Sequence, residues 1–270
     1  MNTTDFKDQI VVVTGGSNGI GKALAEEAKR EGAKHIVIAD VADDAGRAVA
    51  ESLGGSFYHL DASNESDTAD MISDIEVNIG PIGVYFSNAG VLFTDGPTFT
   101  CYGQSADQWN MVWGINVMSH LHAARALLPR YTERGAGCFV LTASAAGLLS
   151  QIGDALYSTT KHATIGYAEA MAIAHGDEGV QVSVICPQAV ESNMTADMDA
   201  RTSTAAADGI MPSDEMAKRA IAEIKEGHFM VRPHEQVISY FQHKAENYDR
   251  WVGAMRKFRR SQIEANGKPL

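Results

Sequence analysis

Between Ile10 and Gly21 the chain reads IVVVTGGSNGIG, and no other stretch limits its possible folds as much. Ile10–Thr14 is short and β-branched, the pattern of a strand covered on both faces. A helical pattern, Lys22–Glu31, begins directly after Gly21. The turn between them must close within a few residues, and glycine allows the backbone angles this requires. It also lets the main chain approach a phosphate, whose charge is favoured by the positive end of the following helix. A glycine-rich turn alone is weak evidence. Set between a strand and a helix, it is the fingerprint of a dinucleotide site.

The alternation continues. His35–Asp40, Phe57–Asp61, Gly83–Ser87, Cys138–Ala143, Val180–Cys186 and His228–Arg232 read as strands. Residues 42–52, 66–79, 105–133, 155–175 and 213–226 have helical periodicity, and 235–260 is a mostly helical tail. Ser105 with Gln108 forms a capping box, Ser213 is expected to cap its helix, and Pro129 marks an end or a kink. No linker, repeat or composition shift divides the 270 residues. The pattern predicts an α/β fold of Rossmann type, a single domain over 1–270. Its one doubly wound parallel sheet would have about seven strands flanked by helices.

Charge and cysteines narrow the partners. A formal charge of -12 argues against nucleic acid, which needs clustered lysine and arginine. The basic group Arg256, Lys257, Arg259 and Arg260 reads as a solvated or interface helix end. Cys101, Cys138 and Cys186 form neither a disulfide framework nor a metal-ligand spacing. His120 and His122, two apart, diverge on a helix, and no metal is expected. There is no leader pattern and no apolar run near the ~18 residues of a membrane span. A soluble, cytoplasmic protein with no membrane partner is expected.

Two places promise chemistry. Asp40 closes the second strand 19 residues after Gly21. A carboxylate there accepts hydrogen bonds from the adenosine ribose and repels a 2′-phosphate. Ser17, Asn18, Val41 and Ala42 around it are not basic, so NAD is expected over NADP. Tyr157 and Lys161 lie one helical turn apart, so phenol and ammonium rise from one face. A nearby cation favours the ionised phenol, which otherwise titrates near pH ~10. A second such pair, Tyr240 and Lys244, lies beyond the last strand with no serine upstream at a suitable distance. It is expected to be a helical surface pair.

With these residues in hand, the chain resembles the short-chain dehydrogenase/reductase family, in its compact branch. Thr14–Gly21, with Gly15, Ser17, Asn18, Gly19 and Ile20, is similar to the family's TGxxxGIG turn. Asp61 and Ala62 stand where the family meets the adenine. Ser87-Asn88-Ala89-Gly90 resembles its NNAG motif, with serine for the first asparagine. Asn116 and Ser144 match its catalytic asparagine and serine. Pro187-Gln188-Ala189-Val190-Glu191-Ser192 is similar to PGxVxT, with Gln188 for glycine and Ser192 keeping the hydroxyl near the carboxamide. The resemblance implies that Tyr157 exchanges a proton with the substrate while hydride passes to or from a nicotinamide. It implies that Lys161 lowers the Tyr157 pKa and holds the ribose, that Ser144 polarises the substrate oxygen, and that Asn116 positions a relay water. It also implies a homo-oligomer, tetramer or dimer, built on 105–133 and 155–175, with the tail packing on a neighbour.

Ligands of such sheets bind beyond the carboxyl ends of the strands. There lie 93–103, 145–154 and 188–211, the last with Met194, Met198 and Met211 as an adaptable lid over an apolar substrate. Ser144, Tyr157, Gln188 and Met194 are expected at the substrate. Asp154 is a candidate to face it and favour a cationic group, or else to serve the helix dipole. The leading expectation is an NAD-dependent oxidoreductase for a secondary alcohol or ketone on a bulky, mostly apolar molecule. An aromatic body or an amino alcohol are the candidates. The alternatives are an NADPH-dependent ketoacyl-thioester reductase and a non-catalytic dinucleotide sensor.

Overall fold

The computed structural model describes residues 3–95, 99–196, 206 and 208–265. Seven strands form one sheet, every pairing parallel: β1 (Ile10–Thr14), β2 (His35–Asp40), β3 (Ser56–His59), β4 (Ile82–Ser87), β5 (Gly137–Thr142), β6 (Val180–Ile185) and β7 (Met230–Val231). Their spatial order is β3-β2-β1-β4-β5-β6-β7. Direction of winding reverses between β1 and β4, and there the carboxyl ends of neighbouring strands part to leave a crevice.

The side-chain period of two sends alternate residues to opposite faces. Val12, Val37, Tyr85 and Phe139 face one core, with α3 (Glu65–Asn78), α5 (Ser119–Arg134) and α7 (Ala155–His175) packed on it. Val11, Ile36, Phe86 and Val140 face the other, covered by α1 (Gly19–Arg30), α2 (Asp43–Ser52) and α8 (Ser213–Lys225). Both faces are dry, which is why the strands read as continuous apolar runs rather than alternating ones.

Several boundaries differ from the expectation. The long pattern over 105–133 is α4 (Ala106–Trp113), a π-helical stretch Gly114–Met118, and then α5. Its capping box is present, with both bonds made. Helix α5 continues through Pro129, because Leu127 and Tyr131 on either side are fully buried, and ends at Gly135 with φ 65°. Ser213 is the first helical residue and makes no cap bond. Pro212, extended at φ -55° and ψ 139°, holds the cap position instead. Strand β7 pairs over only two residues, having a neighbour on one side alone. A short helix without a sequence signal, α6 (Ala146–Leu149), follows β5.

The tail is two helices, α9 (Gln236–Glu246) and α10 (Tyr248–Ala265), broken at Asn247. Helix α9 packs on α6 of its own chain. Lys244 is therefore not a surface residue. It is 4% exposed, its Nζ donates to the carbonyl of Leu148 at 2.6 Å, and it lies over the rings of Tyr248 and Trp251. The backbone carbonyl of α6 and two aromatic rings give the ammonium the partners it needs when removed from water. Tyr240 is more exposed, and its hydroxyl donates to Asp208. Among the described residues no helix is long and apolar enough to cross a membrane.

Candidate active site

The glycine turn is built as its sequence demands. A Cβ on Gly21 would fall 2.1 Å from the Gly15 carbonyl oxygen, and one on Gly19, at φ +52°, would fall 2.7 Å from the Ser192 Cβ. Neither position tolerates a side chain. Helix α1 begins with no side-chain cap and no acid in its first turn, so its leading N–H groups are left for an anion. From the neighbouring strand end, the Asn88 amide donates to the carbonyls of Thr14 and Gly15 at 3.0 and 3.3 Å. The Thr14 hydroxyl in turn accepts from the N–H groups of Asn88 and Ala89. Asp40 accepts from the backbone of Ser17 and Ala42, both at 3.0 Å, which fixes its carboxylate beside the turn.

A cavity of about 460 Å³ runs from this turn along the carboxyl ends of the strands. Gly15, Ser17, Asn18 and Ile20 line it with Asp40, Asp61 and Ala62 at one end, and Ser144, Tyr157, Lys161, Pro187, Val190 and Ser192 toward the other. Asn88, Ala89, Gly90, Gln188 and Met194 also face it. Of the expected cofactor residues only Gly19 does not, since it packs on Ser192. The size, the uncapped helix and the glycine cradle fit a dinucleotide. Lys161 is the only lysine or arginine on the wall among the described residues.

Ser144 follows β5. Its hydroxyl donates to the Pro187 carbonyl at 3.3 Å and accepts from the Ala146 N–H at 3.1 Å. Tyr157 and Lys161 both stand on α7, with Nζ 5.5 Å from the ring centroid and donating to the Thr142 carbonyl at 2.8 Å. The Tyr157 phenol is not lowered by Lys161 as the resemblance implied: burial pushes it up to about 12, the Ser144 hydroxyl beside it pulls the other way, and the charge of Asp154 adds to the rise. Burial pulls the Lys161 ammonium down to about 8.

Asn116 does not line the cavity. It is fully buried in the π-helical stretch, where Oδ1 accepts from the Val91 N–H at 2.8 Å. Its Nδ2 donates to the Val91 carbonyl and the Thr160 hydroxyl. The side chain thus ties the loop after β4 to α7, one residue from Lys161. A π-turn widens the helix at such places and is common at functional sites. The serine that departs from NNAG has its own partner: Ser87 Oγ lies 2.7 Å from Nδ1 of buried His120. Burial, with the charge of Lys161, pulls that imidazole down to about 3, so it is neutral.

Asp154 lines no wall of the cavity. It is 3% exposed and accepts from the Gln151 amide, while Gln151 itself faces the cavity. Nor does it cap α7, since its side chain makes no cap bond. That service falls to Asp95, whose Oδ2 accepts from the Ala155 N–H at 2.8 Å. Burial and the charge of Asp95 push Asp154 up to about 7. Met198 and part of the 188–211 segment lie outside the described residues.

Sequence reasoning missed Gln151 and the contribution of the tail. Trp251, Met255 and Phe258 line a second cavity beside the first. Their i, i+4, i+7 spacing was visible, but a stripe of that kind reads equally as ordinary packing.

The short chain dehydrogenase family model matches residues 9–203. A meso-2,3-butanediol dehydrogenase of Serratia marcescens is 34% identical over 193 residues, 70% of this chain and 74% of that protein. The (+)-borneol dehydrogenase 1 of Salvia officinalis is 29% identical over 200 residues, 72% and 74% of the two chains. A short chain dehydrogenase/reductase of Burkholderia phymatum, crystallised in complex with NAD, superposes with a TM-score of 0.80 at 25% identity. That likeness covers 91% of this chain and 96% of the other. Matched over most of its sheet, its glycine turn and its tyrosine–lysine helix, this chain belongs to the short-chain dehydrogenase family.

Proposed function

We propose that the protein is an NAD-dependent oxidoreductase that interconverts a secondary alcohol and a ketone on a bulky, mostly apolar small molecule. One observation carries this reading: a single cavity holds Asp40 at the nucleotide end and Ser144, Tyr157 and Lys161 at the other. A bound nicotinamide supplies the hydride or takes it away. The chain's own task is to move one proton and hold one oxygen.

In reduction, Ser144 holds the carbonyl oxygen and Tyr157 donates its phenolic proton there. The phenol is suited to this, because its raised pKa keeps it protonated across the neutral range. The phenolate left behind is stabilised by the Lys161 ammonium on the same face. In oxidation the same groups run in reverse, with Tyr157 taking the hydroxyl proton. Asn116 acts through position, keeping the Val91 loop and α7 in register around Lys161.

The preference for NAD rests on Asp40 and on a cavity wall whose only lysine or arginine among the described residues is Lys161, next to the reacting end. Among the described residues a 2′-phosphate would meet the Asp40 carboxylate and no cation beside it. The same observation speaks against an NADPH-dependent thioester reductase, and the convergence of Ser144, Tyr157 and Lys161 against a non-catalytic sensor. The reading includes a soluble cytoplasmic homo-oligomer; the exposed apolar Met111 and Trp113 of α4 and Ile173 of α7 support the oligomer. A spectrophotometric panel of ketones with NADH and NADPH tests the function. NADH should outrun NADPH, and Asp40→Ala should narrow the gap. Equal or better use of NADPH by the unaltered protein would refute the cofactor assignment.

A further inference from the structure

A second cavity of about 290 Å³ adjoins the first and shares Ser144, Gln151 and Gln188 with it. It leads from the catalytic serine to a wall made by the tail: Tyr240 and His243 from α9, and Trp251, Met255 and Phe258 from one stripe of α10. The tail lies wholly beyond the residues that match the family model, 9–203. The volume equals about ten water volumes of ~30 Å³ each, enough for a fused ring system and far more than a short aliphatic ketone fills.

One carboxylate, Asp208, stands on this mostly apolar wall among the described residues. Two neutral donors hold it in place: the Tyr240 hydroxyl at 3.1 Å and the Gln188 amide at 2.9 Å. A carboxylate accepts about four hydrogen bonds, so capacity remains for a ligand donor. Lys244 weighs against a cationic donor. Its Nζ lies 4.8 Å from the Trp251 ring centroid, so the aromatic wall already serves one cation and would receive a second poorly.

We propose that this cavity holds the distal half of the substrate, a flat apolar ring system bearing a neutral hydroxyl that donates to Asp208. The reactive carbonyl or carbinol would lie at Ser144 and Tyr157, and the tail would set specificity. This rests on the reaction proposed above and adds the substrate's other end.

The test compares kcat/KM for butanone, acetylnaphthalene, and acetylnaphthalene carrying a distal hydroxyl or a distal aminomethyl group. The unaltered protein should prefer the hydroxylated ketone to its parent, and Asp208→Asn should abolish that preference. Trp251→Ala should lower the acetylnaphthalene-to-butanone ratio by about tenfold. Phe258→Ala tests the same wall should the first variant fold poorly. Unchanged ratios in these variants would overturn the proposal. A preference for the aminomethyl compound that vanishes in Asp208→Asn would overturn the hydroxyl in favour of a cation. If no ketone is reduced, the reaction reading fails by itself. Calorimetric binding of the hydroxylated ketone then decides the cavity, and equal affinity in unaltered and Asp208→Asn protein would overturn it.

Discussion

Asp154→Asn should stabilise the protein at alkaline pH and do much less at acid pH. The carboxyl is 3% exposed, and its Oδ1 and that of neighbouring Asp95 both lack a partner. Burial and the charge of Asp95 raise it from 3.8 to about 7. Because the folded pKa is the higher one, the folded state binds the extra proton between those values. Stability is then lost as pH rises through the window from 3.8 to about 7. A shift of about three units corresponds to at most about 4 kcal/mol once the group is fully ionised. Near pH ~5 the cost is less than half of that, so the unaltered protein should lose about 2–3 kcal/mol more than the variant between pH ~5 and ~8. Asparagine cannot ionise, keeps an acceptor for the Gln151 amide and offers a donor to Asp95. Urea unfolding of both proteins at the two pH values measures the difference. Parallel stability profiles would refute the claim that Asp154 is buried without a compensating cation.

Gly19→Ala should weaken dinucleotide binding by about tenfold or more, since its φ of +52° and the 2.7 Å approach to Ser192 both resist a Cβ and the turn must shift to take one. Titration of NADH fluorescence measures it, and unchanged affinity would contradict the cradle. Ketone reduction at saturating NADH should be level below pH ~8 and fall above it. Burial pulls Lys161 down to about 8, and loss of its charge removes the counterion for the phenolate that Tyr157 becomes. A profile level to pH ~10 would contradict that role.

What could be read from the residues was whatever repeats locally. Ile10–Thr14 and its turn needed no partner to be recognised, because β-branching and glycine act on the chain's own backbone. Strands β1, β2 and β6 therefore fall where the pattern put them, or within a residue. Strand β7 was overdrawn, because its length depends on β6 rather than on His228–Arg232. The π-helical stretch at Asn116 has no composition signal: what stabilises it are bonds to Val91 and Thr160, distant in sequence.

The site divides the same way. Tyr157 and Lys161 share a helix, so their spacing sufficed. Asp154 stands directly before that helix, but where its carboxyl went depends on Gln151 in the same loop and on Asp95, which is distant in sequence. Lys244 was misjudged for the same reason, as its burial depends on α6 and Trp251. Gln188 shows the intermediate case. Its departure from glycine was plain in the sequence, while its bond to Asp208 appears only in the fold.

The central claim is that Tyr157 passes the proton while the rest of the site holds the cofactor. Tyr157→Phe removes one hydroxyl and keeps the ring over which Lys161 lies. Measured side by side, NADH affinity should change by less than about threefold, while ketone reduction falls by about 10²–10⁴. Reduction that survives in Tyr157→Phe at near its original rate would show that the proton comes from elsewhere.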